Sequence, residues 1–340
     1  MDIKDKRPVI VAELSGNHEG SLERCMSLMD LAHENGADAV KIQTYTEDSL
    51  TLNSDRPEFA IRGGLWDGQT LYELYKKAKT PREWMKPLFE HASESGIRLF
   101  STPFSIEDLN ALEDVGCPCF KIASFELNYV QLIKACASTR KPMVISTGLG
   151  TLEEIERAYE TAVKAGCPSI TLLVCQSSYP ADPEKFSLRT IPFLKERFGC
   201  RVGLSDHALG DVQDIAATAL GADMIEKHFT DDRARGSVDS AFSMEPSDLR
   251  ELVKDTTETA ASLGVYGVRL TEEEKNSRGG RRSVYLVKPL KKGEKLTEKD
   301  VKIVRPAFGL EPYLLEDLIG KSALRDLSAP IPLNPADFNS

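Results

Sequence analysis

Residues 202–228 read VGLSDH-ALGDVQDIAATALGAD-MIEKH, and this stretch decides the fold. Two short apolar segments, each ending in a histidine, flank one segment of helical length. Parallel strands need a crossover connection of this kind, and the crossover brings both strand ends to the same edge of a sheet. We therefore expect His207 and His228 to lie side by side, where two imidazoles could hold a metal ion.

The same strand–helix unit recurs through most of the chain. Apolar runs that predict strands lie at residues 8–13, 39–44, 97–102, 119–124, 142–148, 170–177, 202–205 and 224–228. Eight such units within roughly 260 residues predict an α/β fold, the (β/α)8 TIM barrel. A doubly wound open sheet is the competing architecture, but it normally has fewer strands and a glycine-rich first turn that this sequence lacks.

Two further segments lie outside the repeat. An insertion at about residues 46–80 is rich in glycine and aromatic residues, and such a long excursion from a strand end is usually functional or oligomeric. We predict a barrel over residues 1–265, a linker over 266–282 and a small module of short strands over 283–340. A module of this size is small for an independent core, so we expect it to dock on a barrel, its own or a partner's.

The composition argues against several classes of protein. With 41% hydrophobic and 28% charged residues the chain is typical of globular proteins, and its net charge of −10 argues against nucleic acid as a partner. Apolar runs of membrane-spanning length and a signal-peptide core are both missing from the sequence, so we expect a cytoplasmic protein. Seven cysteines without zinc-ligand spacing predict reduced thiols.

Each predicted strand ends on polar or ionisable residues. They are Glu13; Lys41 and Gln43; Ser101 and Thr102; Lys121 and Ser124; Ser146 and Thr147; Gln176 and Ser177; Ser205, Asp206 and His207; and Glu226, Lys227 and His228. Active sites of TIM barrels lie at this carboxyl rim, and a purely structural barrel does not need lysines there.

The lysines at the strand ends allow two interpretations. Together with the serine and threonine hydroxyls, Lys41 and Lys121 would suit a ligand that carries a phosphate and a carboxylate. Alternatively, each lysine forms a salt bridge to a core carboxylate such as Glu226. A structural ion pair is favoured for Lys227, because side chains alternate along a strand and Lys227 points away from His228.

The histidine pair also allows two interpretations. Imidazoles suit Mn, Fe, Co or Zn rather than magnesium alone, and two of them leave room for water or substrate oxygens, as a catalytic metal requires. The alternative is a hydrogen-bonded structural pair. His33 and His91 lie on predicted helices and are expected at the surface, while His18 in the first loop is either functional or a polar loop residue.

Seven short motifs, in this order along the chain, resemble the sialic acid synthase family. They are AELSGNH (12–18), KIQT (41–44), STPF (101–104), KIAS (121–124), STG (146–148), SDH (205–207) and EKHFT (226–230). The resemblance implies a TIM barrel followed by a small antifreeze-like (SAF) domain. It also implies an enzyme that condenses phosphoenolpyruvate with an aminosugar aldehyde to make a nine-carbon ulosonic acid.

Further motifs resemble one branch of that family, the pseudaminic acid synthases. They are LWDGQTLY (65–72), Thr80-Pro81, Trp84, and Arg305-Pro306 near FGL (308–310). The sugar implied is an open-chain 2,4-diacetamido-2,4,6-trideoxyhexose of the L-altrose type. Synthesis of N-acetylneuraminate or legionaminic acid by the same chemistry is the alternative. Relatives of this branch often have an aromatic residue near position 280, where this chain has Gly279-Gly280.

The resemblance also implies roles for individual residues. Phosphoenolpyruvate would bind Lys41, Thr102, Lys121, Ser124, Ser146, Ser177 and Ser205. The N-acetylated aminosugar would contact Glu13, Gln43, Tyr179 and Asp239. A divalent metal, Mn²⁺ or Mg²⁺ or else Co²⁺, would be held by His207 and His228. Arg305 would reach the active site of the other subunit in a domain-swapped homodimer.

Glu13 and Glu226 are both candidates for the base that activates water. Outside this chemistry, the alternatives are a non-catalytic sugar-binding barrel and a metal-dependent hydrolase. The intact lysines and histidines argue against the first. The hydrolase would usually need more histidine and carboxylate ligands than the sequence offers.

Overall fold

Eight parallel strands close into a barrel in the computed structural model, which describes residues 7–339. The strands are β1 (Val9–Glu13), β2 (Ala39–Thr44), β3 (Leu99–Pro103), β4 (Phe120–Ile122), β5 (Met143–Ser146), β6 (Ile170–Cys175), β7 (Arg201–Asp206) and β8 (Met224–His228). Each pairs with its neighbour in sequence, and β8 returns to β1 with His228 opposite Glu13. The predicted TIM barrel is confirmed.

Helices connect the strands on the outside of the barrel. They are α1 (Leu22–Glu34), α2 (Glu47–Leu50), α3 (Leu71–Ala78), α4 (Met85–Glu94), α5 (Ile106–Asp114), α6 (Val130–Ser138), α7 (Leu152–Lys164), α8 (Thr190–Phe198), α9 (Val212–Ala219) and α10 (Pro246–Ser262). Several begin at side-chain caps: Ser21 accepts from the backbone N–H of Arg24, and Thr151 forms a capping box with Glu154. None of the helices in the described range is long and apolar enough to cross a membrane.

A continuous apolar core fills the barrel and the space beneath the helices. Ile10, Ile42, Phe120 and Leu172 are completely buried on four different strands. Strands that are covered on both faces read as unbroken apolar runs, which is why these segments stand out in the sequence. Polar residues are then tolerated only where a strand leaves the core, at its carboxyl end.

The insertion at residues 46–80 is an ordered excursion from the end of β2. Its base is closed by a bridge between Thr44 and Thr80, and Lys79 donates a hydrogen bond of 2.7 Å to Glu47. Its tip, residues 60–70, is closed by a second bridge, between Ala60 and Thr70. The insertion is therefore anchored at the carboxyl rim of the barrel.

The chain divides into two units, and the second begins at Val265. It contains α11 (Glu272–Ser277) and a three-stranded antiparallel sheet in the order β10-β9-β11, with β9 at Ser283–Leu286, β10 at Val301–Val304 and β11 at Ile331–Pro332. Val284, Leu286 and Leu296 are buried in its own small core. Thr297 and Asp300 form a capping box around a short helical turn at residues 298–300.

Gly203 offers a test of how closely β7 packs against β8. A Cβ atom at this position would lie 2.1 Å from the carbonyl oxygen of Met224, so any larger residue must push the two strands apart. We expect Gly203→Ala to lower the free energy of unfolding by about 2 kcal/mol, measured by thermal and urea denaturation. Gly279→Ala is the control, since a Cβ there would meet no atom within 4 Å. An unchanged Tm for Gly203→Ala would contradict the close approach.

Candidate active site

The carboxyl ends of the strands surround a cavity of about 50 Å³. Twelve of the fifteen residues expected at the site line it: Glu13, Lys41, Gln43, Thr102, Lys121, Ser124, Ser146, Tyr179, Ser205, His207, Glu226 and His228. Ala123 and Cys175 complete the lining. Ser177 and Asp239 lie outside the lining but inside the same unit, and Arg305 follows β10 in the second unit.

Two lysines and two glutamates form a buried charge network in this cavity. Lys41 contacts the carboxylate of Glu13, and its Nζ lies 3.6 Å from Oε1 of Glu226. Lys121 Nζ donates to the same Glu226 oxygen at 3.0 Å. Lys41 also donates to Oγ1 of Thr102 at 3.3 Å. Both interpretations of the sequence therefore hold: the lysines form buried ion pairs, and they also line the rim of the barrel.

Burial and pairing act in opposite directions on these groups. Burial lowers the pKa of Lys41, but the charges of Glu13 and Glu226 outweigh it, so the pKa is raised. Burial dominates at Lys121 and lowers its pKa. The pKa of Glu226 is lowered, because Lys121 and Lys41 outweigh the effect of burial on the carboxylate. The network keeps ammonium groups at the place where an anionic ligand would bind.

Serine hydroxyls converge beside the lysines around Gly148. A Cβ atom on Gly148 would lie only 2.3 Å from Oγ of Ser177 and 2.7 Å from Oγ of Ser124. Ser146 Oγ is buried without a hydrogen-bond partner, whereas Ser205 donates to Glu226 at 3.4 Å. An unpaired buried hydroxyl costs free energy, so Ser146 points to a ligand that supplies the missing acceptor or donor.

The two histidines lie side by side, as the crossover connection predicted. Their ring centroids are 5.3 Å apart. His207 Nδ1 lies 3.1 Å from the carbonyl oxygen of Gln176, which can only accept, so this nitrogen carries a proton and Nε2 holds the lone pair when the ring is neutral. Burial lowers the pKa of His207, but hydrogen bonds with Cys175 and the Gln176 carbonyl outweigh it, so the pKa is raised. His228 Nδ1 is buried without a partner. Burial, with the nearby charges of His207 and Lys41, holds the pKa of His228 well below its ordinary value.

These imidazoles fit a metal site in which they supply nitrogen ligands and other groups supply oxygen ligands. Within residues 7–339 no group of three or more His, Cys, Asp or Glu side chains is arranged to hold a metal. A neutral His228 with an unpartnered ring nitrogen, beside the free Nε2 of His207, supplies two nitrogen donors. A metal bound here would complete its coordination sphere with water or substrate oxygens.

A second buried ion pair stands directly behind the histidines. Lys227 contacts the carboxylate of Asp206 and donates to the carbonyl oxygen of Ala208 at 2.7 Å. Asp206 in turn accepts the Ala208 N–H at 2.8 Å. These contacts form a clamp of Lys227 and Asp206 around the backbone of His207. The clamp joins the end of β7 to Lys227, the residue before His228. The structural ion pair predicted for Lys227 is confirmed.

His18 is a polar loop residue rather than part of the cavity lining. Its Nδ1 accepts the N–H of Gly20 at 3.1 Å, and its Nε2 lies 3.2 Å from Oγ1 of Thr80. The ring packs edge-on against Trp84, with centroids 5.4 Å apart. Burial, assisted by Arg24, lowers the pKa of His18 to about 4, so the ring is neutral.

Three of the residues expected to contact a sugar lie on β1, β2 and the loop after β8, and the fourth, Tyr179, lies in the loop after β6. Gln43 donates to Oε1 of Glu13 at 3.1 Å. Asp239 is buried and accepts the Gly16 N–H at 3.2 Å, and burial raises its pKa to about 6. The ring of Tyr179 packs against that of His207 at a tilt of 49°, with the centroids 4.4 Å apart. These residues therefore combine carboxyl and amide groups with an aromatic surface.

Two ionisable residues near the cavity were missed in the sequence. Glu126 lies in the turn after β4, with Oε2 buried and unpartnered, and burial raises its pKa to about 7. Cys175 ends β6 and lines the cavity. Burial raises its pKa, but hydrogen bonds with His207 and Ser177 outweigh burial and bring the pKa to about 7. A search that included the turn after β4, and not only the strand ends, would have identified Glu126.

The NeuB family model matches residues 28–267, and the SAF domain model matches residues 281–339. The chain belongs to the NeuB family. This NeuB-family enzyme is 44% identical to the pseudaminic acid synthase of Campylobacter jejuni, over 98% of this chain and 97% of that one. It is 41% identical to the pseudaminic acid synthase of Helicobacter pylori, over 97% and 98% of the two chains.

A solved structure resembles the NeuB-family fold described above. It is the N-acetylneuraminic acid synthetase of Leptospira borgpetersenii in complex with citrate, with a TM-score of 0.72 and 30% sequence identity. The match covers 80% of this chain and 90% of that one. The expected family membership, and the barrel followed by a SAF domain, are thus confirmed.

The raised pKa of Glu126 predicts how stability depends on pH. The folded state holds this proton up to about pH 7, whereas the unfolded chain releases it near the ordinary value of 4.5, so stability is lost as the pH rises through this window. Glu126→Gln cannot ionise, and we expect it to be more stable than wild type by roughly 3 kcal/mol at pH 8 and equal at pH 4.5 in urea unfolding. The exposed Glu196→Gln should show no such difference. Equal stability of Glu126→Gln and wild type at pH 8 would contradict the shift.

Proposed function

We propose that this enzyme condenses phosphoenolpyruvate with open-chain 2,4-diacetamido-2,4,6-trideoxy-L-altrose and water to give pseudaminic acid and phosphate. One observation carries the proposal: buried lysines and serine hydroxyls face an imidazole pair across a single cavity. The identity of 44% to a pseudaminic acid synthase, against 30% to an N-acetylneuraminic acid synthetase, supports this sugar over the alternatives.

In this proposal phosphoenolpyruvate lies between the lysines and the serine hydroxyls. Lys41 and Lys121 bind its phosphate and carboxylate, and Ser124, Ser146 and Ser177 donate hydrogen bonds to the remaining oxygens. Charge-assisted hydrogen bonds of this kind are about twice as strong as neutral ones. The unpartnered hydroxyl of Ser146 supports the placement, because the ligand would satisfy it.

We propose further that His207 and His228 hold a divalent metal, Mn²⁺, Mg²⁺ or Co²⁺. When bound, such an ion acts as a Lewis acid toward the aldehyde oxygen of the sugar. The chain's own contribution is to fix both imidazoles and, by burial, to keep His228 neutral. The carbonyl oxygen of Gln176 orients His207, and the ion pair of Lys227 with Asp206 holds the two strand ends together.

The reaction proceeds by attack of carbon 3 of phosphoenolpyruvate on the aldehyde carbon. The new carbon–carbon bond takes the electrons of the enol double bond, the aldehyde oxygen gains a proton, and carbon 2 becomes an oxocarbenium-like cation. Water adds to carbon 2 and loses a proton, which leaves a hydroxyl group there. The O–H electrons of this hydroxyl form the carbonyl double bond as the bond between carbon 2 and the phosphate oxygen breaks, and the departing phosphate takes the proton. Lys41 and Lys121 stabilise the negative charge on the departing phosphate.

Glu226 is the better placed of the two candidate bases for activating this water. Its Oε2 atom is buried without a hydrogen-bond partner. Both oxygens of Glu13 are engaged: Oε1 accepts from Ser15 at 2.6 Å and from Gln43 at 3.1 Å, and Oε2, which also lacks a hydrogen bond, contacts the ammonium group of Lys41. A free carboxylate oxygen can accept the proton of the attacking water, so we assign this role to Glu226.

We propose a cytosolic, domain-swapped homodimer in which Arg305 completes the site of the other subunit. The second unit exposes several large apolar side chains, and a partner would cover them: Tyr266, Val268, Phe308 and Tyr313. The seven cysteines are free thiols, which agrees with a reducing compartment. Light scattering on the purified chain should give twice the monomer mass. A monomer would contradict the swap.

A phosphate-release assay tests the function. Purified protein is incubated with phosphoenolpyruvate and a panel of aminosugars, and we expect the trideoxy altrose derivative to react fastest. Chelation with EDTA should abolish the activity, and Mn²⁺ should restore it. Oxygen-18 in the bridging position of phosphoenolpyruvate should appear in inorganic phosphate. Faster turnover of N-acetylmannosamine would favour the neuraminate alternative, and inactivity with every sugar would refute the proposal.

Gly148→Ala tests the proposed position of phosphoenolpyruvate. The new methyl group must displace the hydroxyls of Ser177 and Ser124, which are side-chain atoms and can move without unfolding the barrel. We expect KM for phosphoenolpyruvate to rise at least about tenfold, the factor that corresponds to 1.4 kcal/mol of binding. KM for the sugar and Tm should change little, and Gly279→Ala serves as the matched control. A larger effect on the sugar's KM would place the two substrates the other way round.

A further inference from the structure

Trp66, at the tip of the insertion, lies beside the proposed sugar site. Its ring centroid is 5.8 Å from that of Tyr179, which itself packs against the ring of His207 with centroids 4.4 Å apart. The indole N–H donates to the carbonyl oxygen of Val238 at 3.0 Å, one residue before Asp239. Trp66 therefore touches both the aromatic side of the cavity and the loop after β8.

The tip is built to hold this ring in place. Gly68 has a φ of +83° and donates its N–H to the carbonyl oxygen of Ile61 at 3.2 Å. Asp67 accepts the N–H of Gly63 at 2.6 Å. These bonds close residues 61–68 into a compact turn, so Trp66 is presented from a defined position.

A second cavity, of about 260 Å³, adjoins Trp66. Leu65, Leu74, Val238 and Ala241 supply much of its apolar lining, and Tyr179 is not among its lining residues. Trp66 thus stands between this cavity and the ring of Tyr179, which packs against the histidines. Removing the indole would connect this second cavity with the cavity that Tyr179 lines.

We propose that Trp66 is a specificity-determining residue that contacts the end of the sugar farthest from the aldehyde, namely the 6-methyl group and the neighbouring 4-acetamido group. This inference rests on the proposed function, which places the aldehyde at the imidazole pair. Five carbon–carbon bonds extend an open-chain hexose by roughly 6 Å. Tyr179 lies between the two ends, 4.4 Å from His207 and 5.8 Å from Trp66, so a sugar chain of this length with its acetamido group extends from the imidazoles toward the indole.

The chemistry of the surroundings matches this orientation. Glu13, Gln43 and Asp239 offer hydrogen bonds for the hydroxyl groups in the middle of the sugar chain. The indole face offers an apolar surface, which favours a methyl group over a hydroxymethyl group that must lose its hydration. Apolar pockets discriminate against an added hydroxyl by at most about a hundredfold, so a ratio of this order is expected.

The test compares two sugars in the same phosphate-release assay. They are 2,4-diacetamido-2,4,6-trideoxy-L-altrose and its counterpart with a hydroxyl on carbon 6. We expect Trp66→Ala to lower the ratio of their kcat/KM values at least about tenfold, with KM for phosphoenolpyruvate unchanged. Trp66→Phe, which loses the bond to Val238 but keeps an apolar ring, should retain most of the ratio. Leu65→Ala, on the adjacent half-exposed side chain, should leave it unchanged.

The outcomes separate this inference from the function on which it rests. Equal losses on both sugars in Trp66→Ala, or a ratio that does not change, overturn the role in specificity while the wild type remains active. A loss in Trp66→Phe as large as in Trp66→Ala assigns the effect to the bond with Val238 and also overturns it. If Trp66→Ala does not fold, Trp66→Leu replaces it in the same comparison. A wild type that is inactive with both sugars overturns the proposed function and this inference with it.

Discussion

The pairing of two buried ammonium groups with two buried carboxylates is the interaction on which the site depends. An unpaired charge at this depth costs several kcal/mol, so Lys41 and Lys121 can line the barrel mouth only because Glu13 and Glu226 face them. The four residues come from β2, β4, β1 and β8. Only a barrel that closes β8 onto β1 brings them together. The charge pairing therefore requires this fold as well as these residue types.

The histidine pair depends on the direct pairing of β7 with β8, and a different ion pair supports it. Lys227 alternates with His228 along β8 and so points to the outer side of the barrel, where it meets Asp206 of β7. One strand thus carries a carboxylate for the lysine network, a lysine for the outer clamp and an imidazole for the cavity in three successive residues. Pushing β7 away from β8 would disturb all three.

Much of this arrangement could be predicted from the sequence because a parallel barrel leaves a simple pattern. The segments at 39–44 and 224–228 are strands with the predicted bounds, since runs that are buried on both faces end sharply in polar residues. The crossover rule alone places His207 beside His228. The local sequence pattern does not predict residues beyond the strand ends, such as Glu126 in the turn after β4. It also does not predict the position of a loop residue such as Trp66, because tertiary contacts determine the conformation of that loop.

The pairing in the barrel mouth also has a consequence for proton linkage. In the resting pocket the two carboxylates cancel the two ammonium groups, so a highly charged anion enters a site that is already electrically balanced. Its arrival has to draw positive charge from solution, as hydrogen ions or as a metal cation. The heat of binding should therefore change with the ionisation enthalpy of the buffer, and affinity should weaken toward alkaline conditions.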